Sequence, residues 1–265
     1  MKNNFFHFLA IISLTILTQI GGIVYLVTLL LVRRNKTHFR LKRLIVFAVL
    51  YVGFTFLLIP NMSPYFGRIK ITDTKRIGAH SFFTKLLNRN YVKKEMYQTI
   101  ADISEQFQKE YPGIKVIYLD ANFPFFDGFP LLPHLSHNDG KKIDLAFIYK
   151  DTNGTLTNLK KTRSGYGAFV NPSNKEFNQN RACKDLGYWQ YDFSKRLTFG
   201  KINDYLKFSH QANYTLVKII TNHPTVEKVF IEPYLKDRLK LNSSKIRFQG
   251  CRSVRHDDHI HLQIK

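Results

Sequence analysis

The chain has 265 residues and a formal net charge of +21, from 40 Lys/Arg against 19 Asp/Glu. That length holds one mid-sized domain plus additional segments. The charge favours polyanions such as acidic lipid headgroups, cell-wall polymers or nucleic acid, but no nucleic-acid-binding motif and no internal repeat is recognisable.

Apolar sequence comes first. Leu9–Val32 (LAIISLTILTQIGGIVYLVTLLLV) runs for 24 residues without a charge. As a helix it covers roughly 36 Å, enough to cross a hydrocarbon layer of roughly 30 Å with some tilt. The run is too long for the core of a signal peptide and ends in Leu-Val-Arg-Arg rather than at a small-residue cleavage site. A second run, Leu44–Ile59, has 16 residues and spans with the help of snorkelling Lys42 and Arg43. Residues 1–60 thus read as a transmembrane helical hairpin, with the lipid bilayer as partner through two N-terminal helices. Its loop, residues 33–43, carries six Lys/Arg in eleven positions, and the positive-inside bias holds such a loop in the cytoplasm. Everything after Pro60 then faces outward, which in a bacterium means the periplasm or cell-wall side of the inner membrane. That remainder keeps 33 Lys/Arg against 19 acids, a net of +14, and its placement outside argues against nucleic acid as a partner.

Residues 61–92 are basic and irregular and read as a juxtamembrane linker, leaving 93–265 as the exported domain. Lys93–Tyr111 has apolar residues at Met96, Ile100, Ile103 and Phe107, the spacing of an amphipathic helix, stopped by Pro112-Gly113. A strand follows at 114–121, a Pro- and Gly-rich loop at 123–142, and a compact strand at 143–149. A long polar stretch leads to an aromatic patch, Tyr188, Trp189, Tyr191 and Phe193, which suits core packing or the lining of a substrate groove. A helix within 203–223, a strand at 226–232, a short helix at 233–240, a strand at 246–250 and a last strand at 259–265 complete the pattern. Helices and strands do not alternate regularly, so the expected fold class is α+β, a mostly antiparallel sheet with flanking helices. Cys183 and Cys251 both follow Pro60, in a compartment that permits a disulfide.

Chemistry concentrates at SVRHDDHIHLQIK. Alternation along the strand puts His259, His261 and Gln263 on one face and Ile260, Leu262 and Ile264 on the other, with the two histidines about 7 Å apart. The apolar face fixes the backbone and the opposite face presents the imidazoles. A catalytic zinc site needs about three protein ligands and an open fourth position. Upstream, PHLSHNDGKKIDLAF offers His137 and Asp144 around Gly140, whose freedom allows a tight turn. His134 and Asp258 lie nearby and read as a solvated loop histidine and a strand-edge aspartate.

The pattern Ser136-His137-x2-Gly140-x3-Asp144, followed far downstream by His256-x2-His259-x-His261, resembles the LAS metallopeptidases, and most nearly the penicillin-insensitive murein endopeptidases. The segment VEKVFIEPYLKDRLK also resembles the strand and helix before the last motif of that family. The resemblance covers roughly residue 93 onward and leaves out the membrane hairpin. It implies a hedgehog/DD-peptidase-like fold and zinc held by His137, Asp144 and His261. It also implies His259 as general base, with His256 orienting it or stabilising the oxyanion. Lys141 and Lys142 depart from the small or apolar residues common there. Arg163 and Tyr166, in the RSGYG loop, and Trp189 are the candidate substrate contacts. The implied activity is hydrolysis of peptidoglycan peptide cross-links, with muropeptides as substrate. The alternatives are a D-Ala-D-Ala carboxypeptidase, an L,D-type muropeptidase, or a catalytically silent, membrane-tethered wall-binding protein.

Overall fold

The computed structural model describes residues 2–34 and 38–265; Met1 and residues 35–37, inside the basic loop expected at 33–43, lie outside the described residues. The chain forms two compact units. One comprises Met1–Ile71, Phe82–Lys94 and Ala121–Gly140; the other comprises Thr72–Ser81, Glu95–Asp120 and Lys141–Lys265.

In the first unit, the apolar run expected as a single 24-residue span forms two helices instead. α1 (Lys2–Thr18) ends at Gln19, whose φ is 66°, and α2 (Gly21–Leu31) begins two residues later. Local chemistry makes the break. The Gly21 N–H donates to Thr18 Oγ1 at 2.8 Å. A Cβ on Gly22 would lie 2.0 Å from Thr15 Oγ1, so only glycine lets α2 fold back this closely along α1. Nearer the other end of the pair, His7 Nδ1 and Tyr25 Oη lie 2.8 Å apart.

α3 (Phe39–Phe66, 28 residues) is the one helix among the described residues long and apolar enough to cross a membrane. It extends the expected second run at both ends. Pro60 has no N–H for the ladder, and just before it the helix widens into a π turn at Phe54–Leu58. Ile20, Val24, Tyr51, Ile59 and Tyr91 form this unit's buried core. The α1–α2 corner is tied down by two hydrogen bonds: Phe125 N–H donates to Gln19 Oε1 at 3.0 Å, and Asn88 Nδ2 donates to the Thr18 carbonyl at 3.3 Å.

The stretch 61–92, expected as a linker, is built into both units. It carries β1 (Ile69–Lys70), β2 (Ile77–Ala79), the helix Phe82–Leu86 and β3 (Tyr91–Val92), and β1 pairs antiparallel with β3.

The second unit is α+β. Its main sheet uses β2, β4 (Val116–Tyr118), β5 (Lys142–Ala146), β9 (Val226–Phe230), β10 (Ile246–Arg247) and β11 (His259–Ile264), in the order β10-β9-β11-β5-β4-β2. The three central pairings are antiparallel and the two edge pairings parallel, so the sheet is mixed. A small antiparallel sheet joins β6 (Tyr149–Lys150), β7 (Leu156–Thr157) and β8 (Lys207–Phe208).

Cross-strand register follows the alternation read from the sequence. Ile260 faces Leu145 and Leu262 faces Ile143, and all four are buried. The helix Lys94–Glu110 buries Met96, Ile100, Ile103 and Phe107, the stripe its spacing predicts. The helix His210–Asn222 buries Ala212, Leu216, Val217 and Ile220. Polar contacts link these two helices and their ends: Thr99 with Thr225 at 2.7 Å, and Tyr111 with Thr215 at 3.3 Å. Cys183 and Cys251 are joined by a disulfide.

Candidate metal centre

β11 pairs with β5 so that His261 stands directly opposite Asp144 and His259 opposite Ala146. Directly opposed residues share a sheet face, so this register brings the carboxylate to the two histidines. His261 Nδ1 is 2.9 Å from Asp144 Oδ1, and His259 Nε2 lies 3.6 Å from the same oxygen. The second oxygen, Oδ2, accepts from Tyr166 Oη at 2.8 Å, and that hydroxyl is also 3.2 Å from Asp120 Oδ2. All five side chains are buried.

His137 sits in the loop before β5. Its Nδ1 is 2.9 Å from the Ala121 carbonyl, which fixes the ring. His134, expected to be solvated, is half-buried, with its ring 5.6 Å from that of His137. Arg68 holds the loop's backbone. It is fully buried, donates from one terminal nitrogen to the Asp139 carbonyl at 2.7 Å, and pairs with Asp127 through the other. Gly140 lies directly over this guanidinium: its φ is 77°, and an added Cβ would sit 2.0 Å from an Arg68 nitrogen. Glycine is therefore needed there for close approach as well as for the turn.

Ligand atoms of His134, His137 and Asp144 lie within 4.8 Å of one another, and this group, buried at His137 and Asp144, can hold a metal ion. Imidazole nitrogens with one carboxylate oxygen form a donor set suited to zinc and to other borderline divalent metals.

The remaining histidines are held by their own partners. His259 Nδ1 is 2.5 Å from Asp258 Oδ1, while Asp258 Oδ2 accepts the Gly167 N–H at 2.6 Å. Asp258 is thus a buried partner of His259, where the sequence suggested a strand-edge aspartate. Burial opposes charge on His259, but Asp144 and then Asp258 outweigh it and push the imidazole up to about 9. The Tyr166 ring meets the His259 ring edge-on at 5.1 Å.

His256 is buried with its ring 4.9 Å from His259, and its backbone is clamped by Glu232: His256 N–H donates to Glu232 Oε1 at 2.8 Å, and Glu232 N–H donates to the His256 carbonyl at 3.1 Å. Tyr191 Oη donates to the other Glu232 oxygen at 2.6 Å. Asp257 forms a buried pair with Arg255 and accepts from Tyr234 Oη at 2.5 Å.

Of the three candidate substrate contacts, Tyr166 is the one that meets Asp144, and its hydroxyl is buried between the Asp144 and Asp120 carboxylates. Arg163 is exposed, with its carbonyl 2.7 Å from His80 Nε2, and Trp189 is also exposed. The aromatic patch divides: Tyr191 is buried, whereas Trp189 faces solvent. The sequence reading missed Asp120, Glu232, Arg255 and Arg68. The contacts of Asp120, Glu232 and Arg68 join positions far apart in the chain, and the pair of Arg255 with Asp257, two residues on, has no spacing that sets it apart in a sequence.

No protein-family model matches the chain, and no curated protein matches it.

Proposed function

We propose that this chain is a membrane-anchored zinc peptidase acting on peptidoglycan peptides, holding its metal through His137, Asp144 and His261. The observation that supports this reading most is the convergence of His134, His137 and Asp144 while His261 and His259 meet the same carboxylate. Zinc, when bound, lowers the pKa of a water to about 7 and polarises a carbonyl. The protein's own part is positional. Tyr166 orients the Asp144 carboxylate by its hydrogen bond to Oδ2. Asp258 holds His259 Nδ1; with zinc on Asp144 the carboxylate that most raises the imidazole would be neutralised, and His259 Nε2 would be free to take a proton from the attacking water and return it to the departing amine. His256, beside His259, stabilises the developing oxyanion. A tethered binder would need no such oriented base.

On this reading α3 is the membrane anchor, with α1 and α2 beside it in the bilayer and the chain after Pro60 on the periplasmic side. The net charge of +14 after residue 60 favours anionic wall polymers. A DD-endopeptidase is the nearest activity; DD-carboxypeptidase and L,D cleavage share the same site chemistry.

The test is purified full-length chain in mild detergent, incubated with sacculi or dimeric muropeptides and read by mass spectrometry, with and without chelator. New monomers that disappear with chelator and with His259→Ala, while His259→Ala keeps its zinc, support the reading. Intact substrate with zinc-loaded, folded protein refutes it. Zinc titrations of His134→Ala and His261→Ala show which histidine joins His137 and Asp144, and a loss confined to His134→Ala would refute the role given to His261.

A further inference from the structure

At the end of the first unit opposite the Gln19 corner, a cavity of about 500 Å³ opens between α1, α2 and α3. Its walls have two chemistries. Phe6, Leu14, Leu44 and Phe47 supply an apolar side, and Arg34, Arg40 and Arg43 supply guanidinium groups. His7 and Tyr25, joined at 2.8 Å, also line it.

The arginines are not simply solvated charge. Arg43 is half-buried; its Nε donates to the Val32 carbonyl at 3.0 Å, a bond that holds α3 to the end of α2 and fixes the guanidinium fork. Arg40 and Arg43 both lie over the Phe39 ring, with Cζ at 5.9 and 5.3 Å from its centroid. Tyr25 packs edge-on against Phe47, which stiffens the apolar wall.

We infer that this cavity binds one anionic phospholipid, its headgroup phosphate on the arginine forks and its upper acyl chain along Phe6, Leu14, Leu44 and Phe47. Guanidinium is the group that matches phosphate geometry bidentately. A cavity of this size suits a small-molecule ligand, and basic pockets between membrane helices on the cytoplasmic side take anionic headgroups. Charge complementarity selects an anionic lipid over a zwitterionic one, and the continuous apolar wall selects a lipid over free phosphate. The inference rests on the membrane placement proposed above and is independent of the metal centre.

The experiment uses the full chain. Alkaline carbonate extraction of membranes first asks whether the protein is embedded. Protein purified in mild detergent is then mixed with phosphatidylglycerol or phosphatidylcholine, and retained lipid is counted by native mass spectrometry. One phosphatidylglycerol per chain should persist, at least about tenfold preferred over phosphatidylcholine. Arg40→Lys with Arg43→Lys keeps the loop charge, and hence the orientation, yet removes the forks; retention should fall about tenfold. Leu44→Trp, at a wall position exposed enough to tolerate a larger ring, fills the cavity without touching charge and should lower retention to a similar degree.

Equal retention of the two lipids, or retention untouched by both variants, overturns the inference while leaving the anchor intact. Displacement of phosphatidylglycerol by millimolar inorganic phosphate reduces the site to an anion site and also overturns it. Release of the chain by carbonate overturns the membrane placement itself, and the lipid site with it.

Discussion

Removing one hydroxyl tests how the centre is built. Tyr166→Phe keeps the ring that meets His259 edge-on at 5.1 Å and deletes only the donor, 2.8 Å from Asp144 Oδ2 and 3.2 Å from Asp120 Oδ2. A buried hydrogen bond to a charged acceptor contributes about 1.5–3 kcal/mol. Part of that loss appears in the metal-free fold, where two buried carboxylates lose the proton donor between them. The rest appears in binding. Groups that orient a ligating carboxylate are worth about 10–100-fold in metal affinity, or ~1.4–2.8 kcal/mol. Competition for zinc against a chromogenic chelator, on full-length protein, should show Tyr166→Phe weakened by that factor. Thermal unfolding of the metal-free variant should come earlier than for wild type. Tyr205→Phe, at a half-exposed position, serves as the control and should change neither. A zinc affinity for Tyr166→Phe within twofold of wild type would refute the claim that Asp144 is a ligand held in place by this hydroxyl.

Three further outcomes follow from the same contacts. Arg68→Gln loses the bond to the Asp139 carbonyl and the pair with Asp127; it should lower stability by ~1.5–3 kcal/mol and weaken zinc binding by loosening the His137 loop, as read by denaturant unfolding and chelator competition. Glu232 carries a pH dependence: burial pushes its carboxyl up to about 7, although Tyr191 and the His256 N–H pull it down. Because its folded pKa is raised, the folded state keeps a proton that the unfolded chain releases. The contribution is therefore fully present below about pH 4.5 and is lost as pH rises to about 7, by up to ~3 kcal/mol. Unfolding temperature of metal-free Glu232→Gln should be flatter than wild type across that window, and equal slopes would remove the assignment. Cys183→Ser with Cys251→Ser opens a crosslink spanning 68 positions, worth ~4 kcal/mol, and should lower the unfolding temperature by roughly 8–16 °C; an unmoved unfolding temperature would refute that contribution.

What the sequence disclosed was whatever has a short period. The alternation in HIHLQI placed His259 and His261 on one face, and the 3-to-4 spacing from Met96 to Phe107 set the buried stripe of its helix. Register against β5 was not readable, because it depends on a partner more than a hundred residues away. Within the long apolar run, no charge or proline marks the corner at Gln19. The fold-back depends on Gly21 and Gly22 lying against Thr18 and Thr15, and Gly-Gly inside an apolar stretch is compatible with a continuous span. Segment 61–92 looked like a linker because its strands have only two or three residues, too few for a pattern. Arg68 and Glu232 escaped for another reason: each acts by holding a backbone, a role that leaves no trace in neighbouring residues.

The pairing of His261 with Asp144 joins positions 117 apart in the chain. Contacts of such separation require a large loop to close before they return any free energy, which places them among the slower events of folding. Local helices such as Lys94–Glu110 gain their turns early, but Asp144 meets His259 and His261 when β11 docks between β5 and β9. The ligand set proposed above, His137 and Asp144 with His261, is then a property of the completed sheet and of no fragment of it. A zinc ion that binds this arrangement and not the unfolded chain deepens the native well in proportion to the logarithm of its free concentration. Metal supply would thereby set what share of the copies is folded.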